Sequence, residues 1–156
     1  MKYLSKFELL NLKLYRWRHD DYFNSNWRFE KIKLSELGVW PKMSGIPDNF
    51  CVGNLCQTAE CIKRLLKKKD RKYQKLFEKI DKLLPYVKII NRYLPLIVIK
   101  NGNIRTSRRN FNFFKYHQTL YDIDDGNHKA IALALLGEKS ANAYVGERVF
   151  NNEILF

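Results

Sequence analysis

Apolar residues along this chain change spacing several times, and each change predicts an element. Ser5, Lys6, Phe7 and Glu8 form an S-x-x-E capping box, after which Phe7, Leu10, Leu14 and Trp17 fall on one helical face. Leu10, Leu12 and Leu14 also alternate as a strand would. "WRFEKIKLSEL" (Trp27–Leu37), rich in aromatic and β-branched residues, predicts the first strand. The stretch Gly38–Asn54, with two prolines and three glycines, predicts a loop.

Thr58 is placed to cap a long helix. Ile62, Leu65, Leu66, Tyr73, Leu76, Phe77, Ile80, Leu83 and Leu84 keep a helical period until Pro85 stops it. "YLPLIVIK" (Tyr93–Lys100) predicts a compact strand and Asn101-Gly102-Asn103 a tight turn. Then follow a strand "LYDID", a helix from Asn127 to Leu136 ended by Gly137, and a strand "ANAYVGE".

The 156 residues fit one domain, or one domain with an added arm, and 46% hydrophobic content supports a real core. No run of about 18 apolar residues exists, and the charged N-terminus lacks a signal-peptide cleavage site. The expectation is a soluble, cytoplasmic protein with no membrane partner. Cys51, Cys56 and Cys61 form C-x4-C-x4-C. Residues 56 and 61 lie well off a shared helical face and no histidine is near, so free thiols are favoured over a zinc or iron–sulfur site.

Charge changes the picture most. Lysine and arginine number 29 against 16 acids, a formal charge of +13. Such an excess favours a polyanionic partner, nucleotide, DNA or RNA, through phosphate neutralisation. The polar faces of the long helix carry Lys67, Lys68 and Lys72 among ten basic residues, opposed by Glu60, Asp70, Glu78 and Asp81. A solvated face and a phosphate-tracking ridge explain that pattern equally. Arg105, Arg108, Arg109 and Lys115 interleave with Phe111, Phe113, Phe114 and Tyr116. This suits nucleic-acid stacking, although aromatics so spaced more often fill a core. His19, Asp20 and Asp21 read as the charged end of a helix, and His117 has no deducible partner.

The densest chemistry lies in "YDIDDGNHKAIALALLG" (Tyr121–Gly137). Its order is strand, polar turn, helix start. Backbone N–H groups and the positive end of the helix dipole make such a start an anion site. Gly126 permits close approach or a positive φ, Lys129 adds charge, and His128 can donate to phosphate oxygens. Asp124 and Asp125 would repel a phosphate unless a cation such as Mg2+ intervened, or unless one of them served as general base. An ordinary turn with an asparagine cap is the bland alternative.

"DGNHKAIALALLG" followed by "ANAYVGE" resembles the ParB/sulfiredoxin superfamily, whose members carry a D-G-x-H-R-type turn and an alanine-rich helix ending in glycine. "LPLIVIKNG" and "FEKIKLSEL" resemble the family's preceding strands. The resemblance implies an α/β (α+β) fold over residues 27–156, a compact mixed sheet with packed helices, one of them long and Lys-rich. A helical arm over residues 1–26 would precede it. It also implies that Gly126, Asn127, His128 and Lys129 bind nucleotide phosphates. Asp125 would stand near the transferred phosphate as metal ligand or base, and Glu36 would match an essential glutamate of kinase-like members, with Glu30 competing for that role. Sulfiredoxin has its catalytic cysteine where this chain has Asn127, so sulfinic-acid reduction is not expected. Lys129 replaces the usual arginine, and the G-E-R-R signature of partition proteins is missing.

Two functions follow as expectations. One is Mg2+-dependent phosphoryl transfer from ATP or ADP to a hydroxyl acceptor, with Asp125, His128 and Glu36 catalytic. The other is a stand-alone ParB-like module that binds DNA or RNA through Arg105, Arg108, Arg109, Lys67, Lys68 and Lys72, or a nuclease built on it.

Overall fold

The computed structural model describes residues 25–39, 45–50, 53–68, 70–100 and 119–148, together with Glu8. The rest of the expected helical arm (beyond Glu8 and residues 25–26), the Arg105–Lys115 segment, the Asn101–Asn103 turn, Cys51, His19 and His117 lie outside them. The strands are β1 (Ser25–Lys33), β2 (Leu37–Gly38), β3 (Leu96–Lys100), β4 (Tyr121–Asp125) and β5 (Ser140–Arg148). The α-helices are α1 (Leu55–Lys68), α2 (Gln74–Leu83), α3 (Val87–Tyr93) and α4 (Asn127–Leu135). These form a mixed α/β fold around one five-stranded sheet of order β1-β5-β3-β4-β2. β1–β5 and β3–β4 pair antiparallel, whereas β5–β3 and β4–β2 pair parallel.

Alternation along the strands sorts the two sheet faces. Leu96, Val98, Ile123, Ala141, Ala143 and Val145 join α1, α2 and α4 in one core. Ile97 and Ile99 point the other way and are also buried, as is Trp27 beside Gly146. Helix α4 is central. Ala130, Ile131, Ala132 and Leu133 are consecutive and all buried, because α1, α2 and α3 pack around it. Its small alanines are what allow so crowded a position.

The single long Lys-rich helix is corrected to two. α1 stops at Lys68, Asp70 accepts from Lys72 N at 3.0 Å to start a 3-10 turn, and α2 begins at Gln74. The apolar period ran unbroken across this joint, so period alone did not reveal it. Nor does Thr58 cap α1. Asn54 and Gln57 do so reciprocally, Asn54 Oδ1 accepting from Gln57 N at 3.1 Å and Gln57 Oε1 from Asn54 N at 2.8 Å. Thr58 is buried inside the helix and donates from Oγ1 to Phe50 O at 2.6 Å. The predicted first strand also divides. β1 ends at Lys33, a 3-10 turn covers Leu34–Glu36, and Leu37–Gly38 crosses to pair with β4. β1 begins at Ser25, slightly inside the segment assigned to the arm. Among the described residues no helix is long and apolar enough to cross a membrane.

Candidate functional site

The polar turn sits where the sequence places it, between β4 and α4. β4 carries one residue more than β3 between the pairs Val98–Ile123 and Ile97–Asp125, and the extra residue is Asp124. Such a bulge breaks alternation and re-aims the side chains beside it. Asp122 and Asp124 are buried, while Asp125 is half-buried at the strand end.

Gly126 then turns the chain with φ +100°, a left-handed conformation, and serves as N-cap of α4 with no side chain of its own. A Cβ at Gly126 would stand 2.8 Å from Leu96 Cδ2 and 3.1 Å from Lys129 Cε, so both backbone and space call for glycine. The first hydrogen bond of the helix runs from Ala130 N to Gly126 O at 2.8 Å. The N–H groups of Asn127, His128 and Lys129 therefore precede the helical ladder and point toward its N-terminal side. Asn127 is 5% exposed, and its Oδ1 is buried with no hydrogen-bond partner among the described residues. His128 and Lys129 are half-buried.

Lys129 does not stretch into solvent. Its Nζ donates to Leu94 O and, at 3.2 Å, to Pro95 O, tying the turn to the connection between α3 and β3. α3 is fixed in turn by Asn91, which donates from Nδ2 to Asn142 O at 3.0 Å and accepts from Asn142 N at 2.8 Å. At the far end of α4, Gly137 takes φ +78°. Glu138 N bonds Leu133 O at 3.1 Å and Gly137 N bonds Ala134 O at 3.0 Å, closing the helix as the predicted glycine stop.

Glu36 is not part of this turn. It adjoins Leu37, which pairs with Tyr121, and Asp125 lies four residue steps further along β4. At about 3.3 Å per residue that is roughly 13 Å. Glu36 instead faces Lys33 at 3.7 Å. The fold thus sets Glu36 near the Tyr121 end of β4 and Asp125 and His128 at the other end. Glu30, its competitor, also lies elsewhere.

A second polar cluster, which sequence reasoning did not assemble, occupies the Tyr121 end of the sheet. Arg28, 6% exposed, donates to Glu30 at 3.1 and 3.3 Å and to Glu147 at 3.0 Å, and Lys100 donates to Glu147 at 2.7 Å. Burial opposes the Arg28 charge, but Glu30 and Glu147 outweigh it and hold the guanidinium firmly protonated. The Lys100 ammonium, and after it Arg28, keep the Glu147 carboxyl below its usual range against the opposing effect of burial. Burial and then Glu30 push the Tyr121 hydroxyl up, with Glu36 adding to this and Arg28 and Lys100 opposing it. The legible signal was Arg28, Glu30 and Ile32 alternating onto one face, charged residues on a face that also enters the core.

Lys67, Lys68 and Lys72 are exposed, and Lys72 Nζ stands 5.5 Å above the Tyr73 ring. Cys56 and Cys61 are half-buried free thiols, as expected, and Arg64 Nη2 lies 3.6 Å from Cys61 Sγ. Among the described residues no three His, Cys, Asp or Glu side chains gather as a metal cage. Compared with known proteins, this chain matches no family model, no curated relative and no solved structure.

Proposed function

We propose that Asp125–Lys129 hold the phosphate tail of a nucleotide, and that the protein is a ParB/sulfiredoxin-like phosphotransferase using ATP or ADP with Mg2+. The observation that carries this reading is the opening of α4. Gly126 at the N-cap brings no side chain of its own, and the buried Asn127 Oδ1 beside it has no partner among the described residues. The start of a helix offers amide donors and positive dipole potential, the pair of features that phosphate oxygens require. The Lys129 charge is held over the same glycine, its Nζ 3.7 Å from where a Cβ would lie.

The residues fit a magnesium nucleotide. Mg2+ is held by one or two carboxylates together with phosphate oxygens, so Asp125 suffices from the protein side and no cage is needed. The Asn127 amide oxygen would accept from a hydroxyl or a water at the same place. Bound there, the cation would supply charge neutralisation on the phosphates. Asp125 would orient the acceptor hydroxyl and take its proton. The acceptor oxygen then forms a bond to the terminal phosphorus as the bond to the bridging oxygen breaks, and the nucleotide departs one phosphate shorter. His128 and the turn amides would stabilise the charge on the transferring group.

Calorimetric titration of the wild type with ATP, ADP and CTP, with and without Mg2+, tests the reading. At least one nucleotide should bind in a Mg2+-dependent manner, and folded His128→Ala and Lys129→Ala proteins should bind it at least tenfold more weakly. Equal binding of every nucleotide by parent and variants would defeat it.

A further inference from the structure

Helix α3 turns an apolar and aromatic face outward, away from the core it helps to close. Tyr86 is 62% exposed, Ile89 59%, Tyr93 74% and Leu94 66%. Tyr86, Ile89 and Tyr93 follow the i, i+3, i+7 spacing of a single helical stripe, while Val87 and Asn91 on the opposite side are buried. A helix of this length normally exposes its charges and hides its tyrosines, so the stripe calls for an occupant.

Charge decides which. Exposed Arg92 and Lys88 flank the stripe on the side of Ile89, and Lys79 and Lys82 are exposed near the end of the preceding helix α2. Lys88 is paired with Glu138 at 2.5 Å. From Arg71 to Tyr93 the chain holds seven basic residues and two acids, which favours a negatively charged partner that also offers flat apolar surface. Double-stranded nucleic acid has the charge but hides its base faces. Unpaired bases present both, and they stack on exposed aromatic rings beside basic side chains. Tyr86 and Tyr93 are about 10 Å apart along the helix axis, an interval of about three stacked nucleotides.

We infer that the Tyr86–Ile89–Tyr93 face of α3, with Arg92 at its margin, binds single-stranded nucleic acid. Bases rest on the two rings, Ile89 and Leu94 fill the gap between and beside them, and the backbone runs along the basic margin. This inference does not rest on nucleotide binding at the Gly126 turn. It is compatible with it, since Leu94 O is one of the carbonyls that Lys129 holds.

Fluorescence anisotropy with a labelled 20-nucleotide oligothymidylate, and with a duplex of the same length, is the test. The wild type should bind the single strand more tightly than the duplex. Tyr86→Ala/Tyr93→Ala should weaken single-strand binding on the order of 100-fold, about tenfold for each lost stacking ring, whereas Tyr86→Phe/Tyr93→Phe should retain it. Arg92→Gln should lower the slope of log affinity against log salt by about one. Because these side chains are exposed, the variants should melt as the parent does, and His128→Ala should leave oligothymidylate binding intact. Equal affinity of the alanine variant and the wild type, or no preference for the single strand, overturns the inference. So does sedimentation showing a wild-type dimer that the alanine pair dissolves while oligonucleotide binding is unchanged, which would give the face to a second copy of this chain.

Discussion

The side chain of Lys129 folds back over Gly126, and its ammonium donates to the carbonyl oxygens of Leu94 and Pro95. The start of α4 is thereby fastened to the segment that leads from α3 into β3. A cation within the first turn of a helix is unfavourable in its own dipole field, so these carbonyl contacts offset that cost.

Replacement of Lys129 by methionine keeps the length of the stem and removes the donor. Hydrogen bonds from a charged group contribute about 1.5–3 kcal/mol when buried, and a half-buried lysine should give less, about 1–2 kcal/mol. Urea unfolding should therefore show Lys129→Met less stable by that amount without added ligand. An unchanged midpoint and slope would mean that the two carbonyls are as well served by water.

Gly126→Ala should be more damaging than its size suggests. A positive φ of +100° is costly for any side chain, and the new methyl would meet Leu96 Cδ2 at 2.8 Å. Left-handed strain contributes about 1–3 kcal/mol, and Leu96 is fully buried and has little room to give. A loss of about 2–4 kcal/mol in thermal or urea unfolding is expected from strain and crowding together. Gly126→Asn should recover none of the steric part, although asparagine tolerates the left-handed region better. If alanine proves neutral, the turn is not as tightly packed against β3 as its geometry indicates.

What the sequence disclosed depended on whether one local signal was sufficient. The β4-turn-α4 unit was legible because three signals agreed at one place. These were a strand ending in acids, a glycine before an apolar alanine-rich run, and a second glycine just after it. The joint at Asp70 was illegible because the apolar period continued in phase on both sides, and Asp70 was readable equally as a solvated charge or a cap. α3 went unseen because its outward stripe is apolar, which obscures the amphipathic signature of a surface helix. The distance of Glu36 from the Gly126 turn was illegible for a topological reason. Sequence position relative to the first strand gave no sign that the chain leaves β1 and crosses to the opposite edge of the sheet to pair with β4. The cluster of Arg28, Glu30, Lys100 and Glu147 joins three strands through non-local pairings. No window along the chain contains it.

Trp27 and Gly146 supply a further test of the sheet's second face. They are register partners, and a Cβ at Gly146 would fall 2.6–2.9 Å from the Trp27 six-membered ring. The indole is 1% exposed, so it cannot simply swing away. Gly146→Ala should destabilise by about 1–3 kcal/mol through overpacking, seen in urea unfolding together with a shift in tryptophan emission. Trp27→Leu vacates the space in question. The double variant should then be more stable than the sum of the single losses predicts, by at least about 0.5 kcal/mol. Strict additivity would separate the two residues.

The Glu147 carboxylate gives the fold a pH dependence whose sign follows from its partners. Its pKa lies below the ordinary value of 4.5, first because Lys100 donates to it and then because Arg28 does. A carboxyl with a lowered folded-state pKa contributes stability that is fully present above the unfolded value and is lost as pH falls through the folded one. The contribution should thus be constant from neutral pH down to about 5 and fade as the pH falls further, through the lowered folded-state value. Glu147 is 43% exposed, so solvent screens the pair and the effect should be modest and weaker in high salt. Glu147→Gln removes the charge at every pH. The urea midpoint of wild type should exceed that of Glu147→Gln at pH 7, and the gap should narrow as the pH falls below the ordinary carboxylate range. A gap of the same size at pH 3 would show that shape, and not the carboxylate charge, is what Lys100 and Arg28 recognise there.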